Sequence, residues 1–277
     1  MTPPLILLAY SVFALQCLQT TEGHLHLHHG SHRNNHLRSR TQDSGMKRHD
    51  DIEPQLKVFF HYKHLKAGNK MEIYFPTRDP STSPHLLSKQ ESDAIPFSSS
   101  RLPYILHLLS FSEGSKQANA MRETLHHCEF PPIKGEAKFC ATSLESMFDS
   151  LHQIFGPSSK FRVLTTTYLS GSISPLQNYT VSEPPMEISA PKIVGCHTLP
   201  YPYAVFYCHG QESDNKVYKV VVEGEDGGRV EAAAMCHMDT SQWDPSHNAF
   251  RALGNAPGTS PVCHFFPSDN LVWLPVT

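Results

Sequence analysis

YAVFYCHG, residues 203–210, alternates so that Ala204, Phe206 and Cys208 share one face of an extended chain while Val205, Tyr207 and His209 share the other. Runs of the same kind surround it: FRVLTTTYL, QNYTVS, MEISAPKIVGCH, KVYKVVVEG, RVEAAAMCHM, SPVCHFF and LVWLPV. Each is short, rich in β-branched or aromatic residues and bounded by turn residues, so the chain beyond residue 160 reads as β-rich. Glu225-Asp226-Gly227-Gly228 between two runs is a hairpin signal.

Upstream the period changes. Leu102 to Leu109 is apolar on several faces, and Ser115 to Cys128 places Ala118, Met121 and Leu125 at helical spacing. Thr142-Ser143-Leu144-Glu145 fits a capping box, and Leu144, Met147, Phe148, Leu151, Ile154 and Phe155 then make an amphipathic helix that Gly156-Pro157 ends. The expected fold class is α+β, with N-terminal helices packed on a C-terminal antiparallel, β-rich and disulfide-braced part. This folded domain is expected over 58–277. It opens on Phe59, Phe60 and Leu65, with a Gly68-Asn69 turn before Met71, Ile73 and Phe75.

Two segments precede it. Residues 1–23 carry an uncharged apolar run from Leu5 to Leu18 and read as a secretory signal peptide, the run being short of the ~20 residues that span a bilayer. Residues 24–57 form a histidine-rich polar arm without periodicity, expected to be disordered. Cleavage after Gly23 would expose an amine with His24 and His26 behind it, a set able to capture Cu²⁺ weakly. The expected destination is the secretory pathway, whether apoplast, cell wall or vacuole, with no membrane span in the mature chain. A net charge of −3 gives no electrostatic footprint for nucleic acid.

The mature chain keeps Cys128, Cys140, Cys196, Cys208, Cys236 and Cys263, an even set that suggests three disulfides among fifteen pairings. Cys128 with Cys140 closes a short loop containing Pro131, Pro132 and Gly135, worth about 3 kcal/mol if unstrained. Asn178-Tyr179-Thr180 is a glycosylation sequon at Asn178.

Nineteen histidines are roughly three times an ordinary share, and Cys196-His197, Cys208-His209, Cys236-His237 and Cys263-His264 concentrate them. Composition alone would give about 0.5 such pairs by chance. On strands, the cysteines can turn into one layer while the histidines line another. A structural zinc site favours pairs two to four residues apart, which these are not. Four imidazoles suit copper, nickel or zinc, with Cu²⁺ bound tightest; the alternative is that they hydrogen-bond within the core. His126-His127, at a helix end, are expected to face solvent or satisfy the last carbonyls. The G-x-S-x-G elbow, phosphate loop, dinucleotide fingerprint and H-E-x-x-H are missing, which leaves the common hydrolase and nucleotide chemistries without support.

The spacing CH-x10-CH-x26-CH-x25-CH resembles the plant BURP domain over about residues 58 to 277. So do Phe59-Phe60, Ile95-Pro96-Phe97-Ser98-Ser99, Cys140 to Met147 and YPYAVFYCH at 201–209. The family includes seed and stress proteins, a non-catalytic polygalacturonase subunit and copper-dependent peptide cyclases. The resemblance implies copper ligation by His197, His209, His237 and His264. It also implies oxidative cross-linking, with O2, of a Tyr or Trp side chain in a precursor peptide. Fused members carry repeats of a core peptide ahead of the domain; the arm here has no repeat, Trp or Tyr, so a cyclase would act on a separate precursor. The alternative is a non-catalytic secreted protein in contact with the cell wall.

Overall fold

A computed structural model describes residues 52–76, 79–170, 174–211 and 214–276. The leader and most of the arm, His24 and His26 included, lie outside the described residues. Pro54–Leu56 form a 3-10 turn whose Leu56 is buried, so packing is entered just ahead of Val58.

The elements run in the order β1 (Phe59–His61), β2 (Lys70–Tyr74), α1 (Lys89–Asp93), α2 (Leu102–Leu108), α3 (Lys116–Glu129), β3 (Glu136–Ala141) and α4 (Leu144–Phe155). Then come β4 (Phe161–Leu164), β5 (Thr167–Tyr168), β6 (Leu176–Val181), β7 (Met186–Ile188), β8 (Val194–Leu199) and β9 (Val205–Gln211). The chain ends with β10 (Asn215–Gly224), β11 (Arg229–His237), α5 (Asn248–Leu253), β12 (Val262–Phe265) and β13 (Leu271–Pro275). One sheet is 8-stranded, in the order β1-β12-β11-β10-β6-β2 with β5 on β11 and β7 on β10; the other is 5-stranded, β3-β9-β8-β13-β4. Every pairing between named strands is antiparallel.

The α+β expectation needs correcting in its arrangement. The protein is mostly antiparallel sheet with few helices, and the helices are not an N-terminal layer: β1 and β2 come first and join the large sheet, while α5 is inserted between β11 and β12. The reason is topological. β1 and β2 flank a Gly68 turn at φ 84° yet do not pair with each other; β1 finds β12 and β2 finds β6 across more than a hundred residues.

The core is layered by strand alternation. Val230, Ala232, Ala234 and Cys236 of β11 point with Phe60, Phe75, Tyr179 and Phe265 into the outer core of the large sheet. Val194, Cys196, Phe206, Cys208 and Trp273 pack on the far side of the small sheet against Met147 and Leu151 of α4. Between the sheets lie Ile193, Val217, Ala233, Met235, Phe266, Val272 and Leu274. α4 begins one residue later than expected: Ser143, not Thr142, is the cap, and Ser146 closes the box in place of Glu145.

Three disulfides join Cys128–Cys140, Cys196–Cys208 and Cys236–Cys263. The last two link directly opposed residues, with Cα atoms 4.0 Å apart, on β8–β9 and β11–β12. Such bonds fit an oxidising, extracellular setting. No helix among the described residues is long and apolar enough to cross a membrane.

Candidate metal centre

The cysteines do not share one layer as the alternation had suggested. Cys196–Cys208 sits in the outer core of the small sheet and Cys236–Cys263 in that of the large sheet. Each histidine, one residue on, turns the other way, into the layer between the sheets. All four therefore meet although the two sheets contribute two each.

Ring centroids are 5.6 Å apart for His197–His209, 6.1 Å for His209–His237, 5.5 Å for His237–His264 and 5.5 Å for His264–His197, closing a four-membered circuit. His237 and His264 are 2% and 7% exposed, while His197 and His209 are half-buried, so the circuit has a closed side and an accessible side. Phe266 stacks on His197 at 5.0 Å and touches His264 at 4.7 Å. Gly195, opposite it, makes room: a Cβ there would lie 3.1 Å from the Phe266 Cζ. Thr166 Oγ1 donates to the Phe266 carbonyl and accepts the Ala233 N–H, fixing the phenylalanine's backbone to the large sheet.

Hydrogen bonds decide where the imidazole protons sit. Asn270 Oδ1 accepts the Thr198 N–H at 3.2 Å while its Nδ2 donates to Asp269, so the oxygen faces His197 Nδ1, 3.2 Å away. That Nδ1 must carry the hydrogen, which leaves Nε2 with its lone pair bare. Asn215 repeats the device: its Nδ2 donates to the Gln211 carbonyl, and its Oδ1 accepts from His237 Nδ1 at 2.8 Å. Glu136 Oε1 lies 3.2 Å from His209 Nδ1, within ion-pair distance though off the line of a good hydrogen bond. His237 Nε2, bare, is 3.4 Å from His264 Nε2, so any hydrogen between the two belongs to His264.

Burial holds these rings neutral. The His197 imidazole is pushed down to about 3, chiefly by desolvation and then by His209 and His127. His237 and His264 lie well below the ordinary histidine range, again through burial first and neighbouring imidazoles second. Neutral Nε2 donors with oxygen-bonded Nδ1 atoms are the ligand chemistry that copper, zinc or nickel needs. The donor set fits a metal in kind. It is not a preformed cage: among the described residues no three His, Cys, Asp or Glu side chains are gathered to hold an ion.

Other histidines divide. His247 lies 4.6 Å from Trp243, which in turn sits edge-on to His237 at 4.9 Å. Its Nδ1 accepts the Ala249 N–H as the cap of α5, so its hydrogen is on Nε2 and it presents no bare Nε2. His126 is exposed; His127, also exposed, lies 4.4 Å from the Tyr207 ring, nearer the circuit than a helix-end role required. Asn178 is exposed on β6 and donates to Glu225 at 3.4 Å. Asn215, Asn270, Glu136, Phe266, Trp243 and His247 escaped sequence reasoning. For two of them a signal existed. Phe266 is two residues beyond His264 and must share its face. Counting back through the hairpin from Glu225–Gly228 puts Asn215 opposite His237.

The BURP domain family model matches residues 58–275. "BURP domain-containing protein BNM2C" of Brassica napus is 46% identical over 227 residues, covering 80% of this chain and 81% of its own length. "BURP domain protein USPL1" of Arabidopsis thaliana is 45% identical over 80% of this chain and 81% of its own. "BURP domain protein RD22" of Arabidopsis thaliana is 39% identical over 82% of this chain and 57% of its own. With its four Cys-His pairs folded into two disulfides and one circuit of imidazoles, the chain belongs to the BURP-domain family.

Proposed function

We propose that this BURP-domain protein is a secreted, copper-dependent oxidative macrocyclase that cross-links a Tyr or Trp side chain of a separate precursor peptide. The observation that carries the reading is the circuit of four buried or half-buried imidazoles, in which Asn270 and Asn215 hold the Nδ1 hydrogens of His197 and His237 and leave their Nε2 lone pairs bare. His197, His209, His237 and His264 would hold the metal. Copper bound there supplies one-electron oxidation and access to O2. Overall, two C–H, N–H or O–H bonds of the precursor break, one bond forms between its side chains, and O2 takes both hydrogens as H2O2.

The chain's own residues have three tasks. Asn270 and Asn215 orient His197 and His237 by accepting their Nδ1 hydrogens. Phe266 and Trp243 exclude water from the closed side, where His237 and His264 lie. The half-buried His197 and His209 leave the other side accessible, and the precursor ring approaches there.

A non-catalytic role, as a wall, seed or stress-related protein, is favoured by one specific observation. The Nε2 atoms of His237 and His264 lie 3.4 Å apart, within reach of one hydrogen bond between them, as core histidines do. Copper-loaded protein, O2 and Tyr- or Trp-containing precursor peptides distinguish the two. The cyclase predicts a mass loss of two hydrogens per ring, abolished by His209→Ala. Unchanged mass across a panel of such peptides overturns it, and intact partner binding after chelation then supports the second role.

A further inference from the structure

Three of the four imidazoles have an oxygen set against Nδ1, but only one of those oxygens carries a charge. On His197 and His237 it is an amide, Asn270 or Asn215, in a hydrogen bond; on His209 it is the Glu136 carboxylate, at an ion-pair distance of 3.2 Å but off the line of a good hydrogen bond. Register brings the two together. Lys138 of β3 pairs with His209 of β9, so Glu136, two residues back, lies diagonally across on the same face. The Glu136 side chain is only 8% exposed and is itself held: Oε2 accepts the Ile133 N–H at 3.0 Å, and the Tyr207 phenol donates to Oε1 at 3.4 Å. Besides Tyr207 and the neighbouring imidazoles of His197 and His237, the pair is faced by Lys138, whose Nζ lies 5.3 Å from the Tyr207 ring centroid, and His127, 4.4 Å from the same ring.

We infer that Glu136 is a positioning residue that fixes His209 as its Nδ1–H tautomer and keeps Nε2 turned toward the other three imidazoles. An anionic acceptor does this more strongly than an amide and makes the ring a better donor through Nε2, so His209 is the electronically distinct member of the set. That second consequence rests on the copper reading; the tautomer does not.

The test uses the full chain with Glu136→Gln, which keeps an acceptor, and Glu136→Met, which keeps the volume without one. Imidazole ¹⁵N shifts of the metal-free protein read the tautomer directly. Wild type and Glu136→Gln are expected to show His209 protonated at Nδ1, and Glu136→Met to move toward the Nε2–H form. His209 protonated at Nε2 in wild type overturns the inference without any variant, as does an unchanged tautomer in folded Glu136→Met. With copper added, Glu136→Met is expected to bind about 10- to 100-fold more weakly, with altered Cu²⁺ electron paramagnetic resonance parameters, and Glu136→Gln to fall between it and wild type. Should wild type hold no copper, the proposed function fails while the ¹⁵N readout still decides the role of Glu136.

Discussion

Desolvation holds His197, His237 and His264 neutral, and that has a measurable cost. Their folded pKa values lie below the unfolded value of about 6.5. Between there and about 3 for His197, the unfolded chain therefore binds more protons than the folded one. Metal-free protein is expected to keep full stability above about pH 6.5 and to lose it as pH falls. Each of these imidazoles adds a slope of about 1.4 kcal/mol per pH unit within its window. Denaturant titrations at pH 7 and pH 5 check this, and His197→Gln should flatten the difference. Gly195 gives a second residue-scale outcome. Gly195→Ala would force the Phe266 ring to yield from a 3.1 Å approach, so about 1–3 kcal/mol of destabilisation is expected in a denaturant melt, with His197 displaced with it.

At the scale of elements, alternation in β8, β9, β11 and β12 does the sorting, sending cysteines outward and histidines inward. That much was legible, because the period of a strand is local. Which strands are neighbours was not, and the cysteine layers were misread for that reason: two sheets, each braced on its outer side, replace one. α4 was legible from its apolar spacing, and its cap slipped by a residue because Ser143 and Ser146 form the same reciprocal bonds that Thr142 and Glu145 promised. Cys128–Cys140 ties the end of α3 to β3, the strand that carries Glu136. Replacing both cysteines with serine is expected to cost about 3 kcal/mol. Faster hydrogen exchange in β3 than in β8 would show where the loosening falls, and equal exchange in both strands would contradict it.

The whole molecule is a device for bringing four short segments, spread from His197 to His264, into one layer between two sheets. The family spacing announced that they belong together; the β8–β9 and β11–β12 pairings bring the histidines together two by two, and packing of the two sheets brings the pairs into contact. Asn270 and Glu136 were invisible in the sequence because each reaches its histidine across a register set by tertiary packing, roughly seventy residues away. The direct measurement is copper retained per chain after dialysis against a weak chelator, for wild type, for each single His→Ala variant of the four, and for the fourfold variant. Shared ligation by the circuit predicts that wild type retains copper, that each single variant releases most of it and that the fourfold variant keeps none. Equal copper in wild type and in the fourfold variant would contradict it.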